Sequence, residues 1–300
     1  MIRLLLISSY DPHASSPHQH SLEAFAARCT TDDIEVAYCS VRELVFVVTK
    51  GQAAVLKDGV DIANTFSAVY LRNMNFYPDY ARALQIYGAI HGMTVLNEQD
   101  LTYPAYGKTS QGFLFAQHHI PTPDLIAASH NATLRAYLAH QSPAFPYIVK
   151  HNDGIKGAHN YLVHDAAQLA SVLESDKHGY VAQPYITNSG ELRILTFGDD
   201  IEPLIFKKSA AQGTHLNNTA QGGSVTPLAL ADVDPAIIDS AQRAARVTNR
   251  QIGGVDVLLA DDGSWYVLEV NHTPALASGA LLEEKAAYFK KYLRNLGADR

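Results

Sequence analysis

Two apolar runs near the C-terminus carry isolated oxygen-bearing side chains. Residues 253–260 and 265–271 flank an Asp-Asp-Gly turn, and this pattern predicts a β-hairpin. Asp256 lies in the first arm, while Glu269 and Asn271 point from one face of the second. A carboxylate on a buried strand needs a partner, because an isolated charge is costly to bury. The three side chains therefore indicate either a site for a hard cation such as magnesium or a structural hydrogen-bond cluster at a sheet edge.

A second candidate is the lysine that ends the short apolar strand 147–150. Lys150 precedes a loop containing Gly154 and Gly157, so its ammonium and the backbone N–H groups could bind phosphate oxygens. The loop is not a P-loop, since the Gly-Lys-Ser/Thr ending is missing and a strand follows it. A hairpin turn with a solvated lysine is the alternative that the pattern leaves open.

A third group of polar residues follows further along the chain. Glu191 and Arg193 share one face of a predicted strand, where a guanidinium suits phosphate oxygens. An exposed cross-strand pair with Lys207 or Lys208 is the alternative. The loop that contains Asn217 and Asn218 ahead of two glycines is, without further information, a flexible polar loop.

The elements that must position these residues predict an α/β protein with several lobes. A strand, a helix and a second strand within residues 2–38 favour a small parallel α/β lobe. Residues 120–123, Ile-Pro-Thr-Pro, predict a stiff connector. We expect an N-terminal lobe at 1–100, a central lobe with the glycine loop at 101–186 and a C-terminal lobe with the metal site at 187–300. Arg72 and Asn73, at the end of strand 68–71, are candidate substrate contacts, and a strand-end loop without a ligand is the alternative.

Composition limits the classes of partner. The net charge is −7 and no basic stripe stands out, so we expect no nucleic-acid partner. The apolar start, residues 2–7, is too short to span a membrane and predicts a first strand. Cys29 and Cys39 lack metal-ligand spacing, and we expect a reducing cytoplasmic location. The scattered histidines favour solvated loops over a metal site.

The C-terminal motif resembles a known family. Gly254-Val-Asp-Val-Leu258, followed by Leu268-Glu-Val-Asn-His-Thr-Pro274, resembles the metal-binding end of ATP-grasp enzymes, and RimK-type amino-acid ligases in particular. The likeness extends, with gaps, from about residue 96 to the C-terminus. It implies an ATP-grasp fold with an N-terminal parallel α/β pre-ATP-grasp lobe. It also implies ATP and magnesium as cofactors, with two ions expected and manganese as an alternative.

The resemblance assigns roles to individual residues. Asp256, Glu269 and Asn271 are the implied metal ligands, and Arg193 and Lys150 the implied catalytic residues. Glu191 would take the ribose hydroxyls, and Tyr185 and Ile186 would offer backbone hydrogen bonds and packing to adenine. The implied nucleotide-binding residues are Lys108, Lys150, Gly154, Gly157, Gln183, Tyr185, Ile186, Glu191, Lys207 (or Lys208), Asn217 and Asn218. Relatives often have an acid where Pro184 stands, so no side-chain contact is expected from that position. They usually have an arginine where Asn217-Asn218-Thr219 stands, and this departure predicts altered acceptor recognition rather than altered ATP use.

The activity implied by the resemblance is that of an ATP- and magnesium-dependent carboxylate–amine ligase. It would act through an acyl phosphate and form a peptide or amide bond on an amino acid, a peptide or a protein terminus. The expected partners are a small-molecule or peptide carboxylate and an amine acceptor, with a homo-oligomer left open. A nucleotide-binding regulator without turnover and a small-molecule kinase on the same scaffold are the alternatives.

Overall fold

The computed structural model of the chain describes residues 1–12, 16–97, 107–141, 144–152, 159–174, 179–209 and 224–298. Within these ranges the strands form four sheets. Among the described helices, none combines the length and the apolar character needed to cross a lipid bilayer.

The N-terminal lobe is built on a parallel four-stranded sheet with strand order β2-β1-β6-β7. The predicted opening strand, helix and second strand are confirmed. A three-stranded hairpin sheet, β3-β4-β5, interrupts the lobe, and its turn at Lys50 and Gly51 has positive φ at both residues (52° and 78°), as a two-residue hairpin requires. The elements are β1 (Ile2–Ser8), α1 (Pro17–Cys29), β2 (Ile34–Ser40), β3 (Leu44–Thr49), β4 (Gln52–Lys57), β5 (Val60–Asp61), β6 (Ala68–Arg72), α2 (Pro78–His91) and β7 (Thr94–Leu96).

The central lobe has an antiparallel sheet with strand order β10-β9-β11-β8. Two helices cover one face through buried Leu134, Leu138 and Leu169. The strand β11 ends at Pro184, because proline has no N–H to donate to the ladder. The elements are β8 (Ile126–Ala127), α4 (Asn131–Gln141), β9 (Tyr147–His151), β10 (Asn160–Val163), α5 (Ala166–Val172) and β11 (Tyr180–Pro184).

The C-terminal lobe is an antiparallel sheet of five strands in the order β14-β13-β12-β15-β16. The predicted hairpin 253–271 is present as β15 and β16, with Gly263 at φ 88° in its turn. Apolar residues of α6 at helical spacing, Ile237, Ala241 and Ala244, pack on one face of the sheet. The elements are β12 (Asn188–Phe197), β13 (Leu204–Ser209), β14 (Ser224–Leu228), α6 (Pro235–Val247), β15 (Ile252–Ala260), β16 (Trp265–Asn271) and α7 (Leu282–Ala298).

Helix α3 (Lys108–Gln117) packs on the C-terminal sheet. Phe115 and the following Ile120 belong to the core beneath β12, β15 and β16, although the sequence-based boundaries group them with the central lobe. The Val267 N–H donates to the Pro121 carbonyl (2.8 Å), which fixes the start of the connector to β16. The change of lobe therefore falls at the connector 120–123, which the two prolines predict as a stiff segment.

Helix α7 joins the first lobe to the last. Phe289 is fully buried, and its ring centroid lies 5.5 Å from that of Phe25 and 5.9 Å from that of Tyr70 in the N-terminal lobe. The same core contains Leu195 and Phe206 of the C-terminal sheet. Phe289 thus lies in a core that the N-terminal and C-terminal lobes share.

Replacing Phe289 by alanine should lower the free energy of unfolding by about 3 to 5 kcal/mol, because it removes a large side chain from a core that cannot collapse freely. Chemical denaturation measures the loss. Lys291→Ala, at an exposed position of the same helix, is the control and should change stability by no more than about 0.5 kcal/mol. An equally small loss for Phe289→Ala would contradict this role.

Candidate active site

The polar residues of the C-terminal sheet share one face because of the strand register. Arg193 on β12 pairs with Asp256 on β15, and Asp256 pairs in turn with Glu269 on β16. Asn271 lies opposite Gly254, two residues before Asp256. Side chains at paired positions and at every second position leave the same side of a sheet. Asp256, Glu269 and Asn271 therefore leave the same face of the sheet, and their role as metal ligands stays a prediction.

The Asp256 carboxylate accepts hydrogen bonds from three side chains of this face, and only 5% of the surface of Asp256 is exposed. The Arg193 guanidinium donates to both of its oxygens, from Nε to Oδ1 (2.6 Å) and from Nη2 to Oδ2 (2.8 Å). Lys208 Nζ donates to Oδ1 (2.8 Å), and Asn271 Nδ2 donates to Oδ2 (3.3 Å). Burial raises the pKa of this carboxyl, but the charges of Arg193 and Lys208 outweigh burial and hold the pKa at about 2.

Lys208, rather than Lys207, is the β13 lysine of this cluster. Lys208 pairs with Glu191 across the strands, and its Nζ lies 2.9 Å from Glu191 Oε2. Lys207 pairs with Leu192, so it belongs to the opposite face of the sheet. The sequence left Lys207 and Lys208 open for this face, and the register places Lys208 there instead of Lys207, because a shift of one residue along a strand moves a side chain to the other side.

Two further lysines approach this face from outside the sheet. Lys108, at the start of α3, lies 3.5 Å from Glu269 through Nζ and Oε2. Burial lowers the pKa of Lys150, at the end of β9, to about 8, while the carboxylates of Glu269, Glu191 and Asp256 act in the opposite direction. Lys150 is therefore close enough to the cluster to interact electrostatically with it, and the central and C-terminal lobes both contribute cations.

The oxygen donors fit a hard divalent cation. Two carboxylates and a carboxamide are ligands that magnesium accepts when phosphate oxygens and water complete its shell. Among the described residues there is no group of three or more His, Cys, Asp or Glu side chains that could hold a metal. Glu269, with 31% of its side chain exposed, is the more accessible carboxylate, whereas Asp256 would have to exchange contacts with Arg193 or Lys208.

Three residues that the sequence did not single out position this site. Gln111 of α3 is buried, accepts from the Val270 N–H (2.7 Å) and donates to the Val270 carbonyl (3.4 Å), which fixes the strand between Glu269 and Asn271. The Asn152 side chain accepts from the Thr109 N–H (2.9 Å) and hydroxyl (2.8 Å). These contacts tie the start of α3, and hence Lys108, to the strand that carries Lys150. Single polar residues carry no periodic signal that would have revealed them.

In the segment after β11, some of the backbone groups predicted to bind adenine already form hydrogen bonds within the protein. The Tyr185 N–H donates to the Pro146 carbonyl (3.0 Å), so the carbonyl is the backbone group of Tyr185 that can bind a ligand. The Ile186 carbonyl accepts from Asn188 Nδ2 (3.0 Å). The Ile186 N–H makes no hydrogen bond within the described part of the chain. Gln183 is buried and pairs with Ile148 on β9.

Four predicted residues lie outside the described ranges: Gly154, Gly157, Asn217 and Asn218. Their predicted contacts with the nucleotide stay predictions.

The two predicted substrate contacts, Arg72 and Asn73, lie at the end of β6. Arg72 is buried and donates to the Tyr70 hydroxyl (3.0 Å) and to the Pro274 carbonyl (2.8 Å), which joins the N-terminal lobe to the segment after β16. Asn73 has φ 52° and donates from Nδ2 to the Ser9 hydroxyl (3.2 Å). Both side chains have structural partners, and a substrate contact stays a prediction.

The two carboxylates should differ sharply in their effect on stability. Asp256→Asn removes the charge that Arg193 and Lys208 share and should lower the free energy of unfolding by about 3 kcal/mol. Glu269→Gln, the matched control, loses one partly exposed contact and should cost no more than about 1 kcal/mol. Urea denaturation of both variants measures the difference, and equal losses would contradict the central position of Asp256.

Known proteins share this architecture. The model of the RimK-like ATP-grasp domain matches residues 105–283, more than half of the chain. Beta-citrylglutamate synthase B of Danio rerio is 23% identical over 263 residues, covering 85% of this chain and 64% of that protein. A probable alpha-L-glutamate ligase of Xanthomonas campestris pv. campestris is 29% identical over 185 residues, covering 60% and 62%. The chain thus spans slightly less than two thirds of the length of these relatives.

Solved structures give the fold. The ATP-grasp ligase PsnB, complexed with minimal precursor, Mg and ADP, superimposes with a TM-score of 0.68 at 16% identity, covering 97% of this chain and 96% of that one. D-alanine–D-alanine ligase from Bacillus anthracis, complexed with ATP, gives 0.65 at 18% identity, covering 98% and 95%. The expected fold class is confirmed, and the chain belongs to the RimK-like ATP-grasp family.

Proposed function

We propose that this chain is an ATP- and magnesium-dependent ligase that joins a carboxylate to an amine through an acyl phosphate. The observation that carries the proposal is the register that aligns Arg193, Asp256 and Glu269 on one sheet face, with Lys108 and Lys150 approaching that face. Cations and carboxylates so arranged suit a triphosphate and its metal ions.

Different residues of the site are proposed to bind the phosphates, the cation, the adenine and the ribose. Lys108 and Lys150 bind phosphate oxygens, and the Arg193 guanidinium orients and neutralises the phosphoryl group that is transferred. Asp256, Glu269 and Asn271 hold the cation; we propose two magnesium ions, with manganese as a substitute. Magnesium, when bound, supplies positive charge to the phosphate oxygens. The Ile186 N–H and the Tyr185 carbonyl are the backbone groups proposed to bind adenine, and Glu191 is proposed to bind the ribose.

The proposed reaction has two steps. A carboxylate oxygen of the substrate attacks the γ-phosphorus of ATP, the bond to ADP breaks, and an acyl phosphate forms. The amine nitrogen then attacks the acyl carbon, inorganic phosphate leaves, and the amine loses a proton as the amide forms. The protein needs no covalent nucleophile for this chemistry, because it positions the reactants and excludes water.

The names of two relatives suggest where to look for substrates. A beta-citrylglutamate synthase and an alpha-L-glutamate ligase both have glutamate in their names, so glutamate is the first amine or carboxylate to test. A peptide substrate is the second candidate, since one structural neighbour is complexed with a precursor. The cytoplasm is the proposed location, which suits two cysteines that are free and buried.

A coupled ADP-release screen over pairs of carboxylates and amines, with mass spectrometry of the product, tests the proposal. The product should weigh the sum of the two substrates less one water, and EDTA should abolish its formation. Glu269→Gln should reduce the rate by about 100-fold or more, because it removes a charged ligand of the cation. Glu202→Gln, an exposed position, is the matched control and should turn over like the parent.

Two results would contradict the ligase. A stable phosphorylated product with no amide would identify a kinase on the same scaffold. Nucleotide binding without ADP release, across carboxylates and amines that include glutamate and peptides, would favour a regulator.

A further inference from the structure

A buried lysine lies outside the residues that have a role so far. Lys285 on α7 is only 4% exposed. Its Nζ donates to the Ala275 carbonyl (2.7 Å) and to the Ser278 carbonyl (2.8 Å), and it lies 5.6 Å from the centre of the Phe206 ring. Within the described part of the chain, no carboxylate forms an ion pair with it. Among the described residues, the partners of this charge are therefore backbone carbonyls and an aromatic face.

The carbonyls that Lys285 binds belong to residues 272–278, here called the post-strand segment because they directly follow Asn271 on β16. Asn97 Nδ2 donates to the His272 carbonyl (3.2 Å), and Arg72 Nη2 donates to the Pro274 carbonyl (2.8 Å). Together with Lys285, these side chains bind four carbonyls of the segment. Of these three side chains, Asn97 and Arg72 belong to the N-terminal lobe and Lys285 belongs to α7, so the segment is held from outside its own sheet.

The post-strand segment and Arg193 both approach the backbone of Gly254 on β15. A Cβ atom built at Gly254 would be 3.0 Å from Pro274 Cβ and 3.3 Å from Arg193 Nη1. A side chain at this position would require Pro274 or Arg193 to shift by a few tenths of an ångström. Arg193 pairs with Asp256 on the neighbouring strand. A displacement of the segment would therefore change the packing around Gly254 and Arg193. It would also shift Asn271, which directly precedes the segment, at the proposed cation site.

The charge of Lys285 has an electrostatic consequence of its own. Burial, followed by the positive charge of Arg193, lowers the pKa of Lys285 to about 8. An apolar side chain of similar length would pack over Phe206 without the cost of burying an ammonium. What the ammonium adds is the attachment of the segment through the Ala275 and Ser278 carbonyls.

We propose that Lys285 is a positioning residue, which holds the post-strand segment so that Asn271 and Arg193 keep the geometry that binds a magnesium–nucleotide complex. The inference rests on the proposed function. It assigns Lys285 no contact with substrate.

Lys285→Met tests the proposal with two measurements on the full chain. Hydrogen–deuterium exchange without nucleotide should become faster in peptides covering residues 272–281, because the segment loses its attachment to α7 and its backbone N–H groups reach solvent more often. Calorimetry with ADP should show a dissociation constant about tenfold higher in magnesium, as expected for the loss of charged hydrogen bonds, and one unchanged in EDTA. Lys291→Met, exposed on the same helix, should match the parent in both measurements.

The outcomes separate the alternatives. Faster exchange with unchanged magnesium-dependent affinity would make Lys285 a structural link only and overturn the proposal. Unchanged exchange would overturn it as well, whatever the affinity. If Lys285→Met fails to fold, Lys285→Gln, which keeps one donor and loses the charge, gives the same comparison. A parent chain that binds no magnesium–ADP would contradict the proposed function, and the exchange result would still show whether Lys285 holds the segment.

Discussion

A buried carboxylate that needs positive partners is the constraint on which the site depends. Asp256 receives hydrogen bonds from a guanidinium, an ammonium and a carboxamide on three neighbouring strands, and each partner is thereby fixed in place. Among the residues that the structure describes, four cations and three carboxylates lie on or beside this face, an excess of positive charge that suits a polyanion. They are Lys108, Lys150, Arg193 and Lys208 on one side and Glu191, Asp256 and Glu269 on the other.

The C-terminal sheet supports this site because its two faces differ. One face packs on α3 and α6 through apolar residues that include Leu192, Val255 and Val257. The other face is apolar where Leu195, Phe206 and Ile252 meet α7 and the N-terminal lobe, and charged where it meets Lys108 and Lys150. The same packing that joins the lobes therefore leaves the charged part of the face open to the central lobe. Stability and the placement of charge have a common origin in this sheet.

The hairpin 253–271 could be predicted from sequence because a turn signal separates two apolar runs. Its register could not, since a bulge between Asp256 and Val257 shifts the pairing. Lys207 and Lys208 are adjacent, and only the register with β12 decides which one faces Asp256. Gln111 contacts Val270, 159 residues away, and such a long-range contact leaves no local pattern. The proposed roles of the individual site residues follow from the family resemblance and not from the periodicity of the sequence.

A crystal structure of the chain with ADP and magnesium tests the central claim most directly. The account predicts electron density for a cation bound by oxygens of Asp256, Glu269 and Asn271, with the diphosphate between that cation and Lys108 and Lys150. Nucleotide bound elsewhere, or a nucleotide complex in which Asp256 and Glu269 ligate no cation, would contradict it.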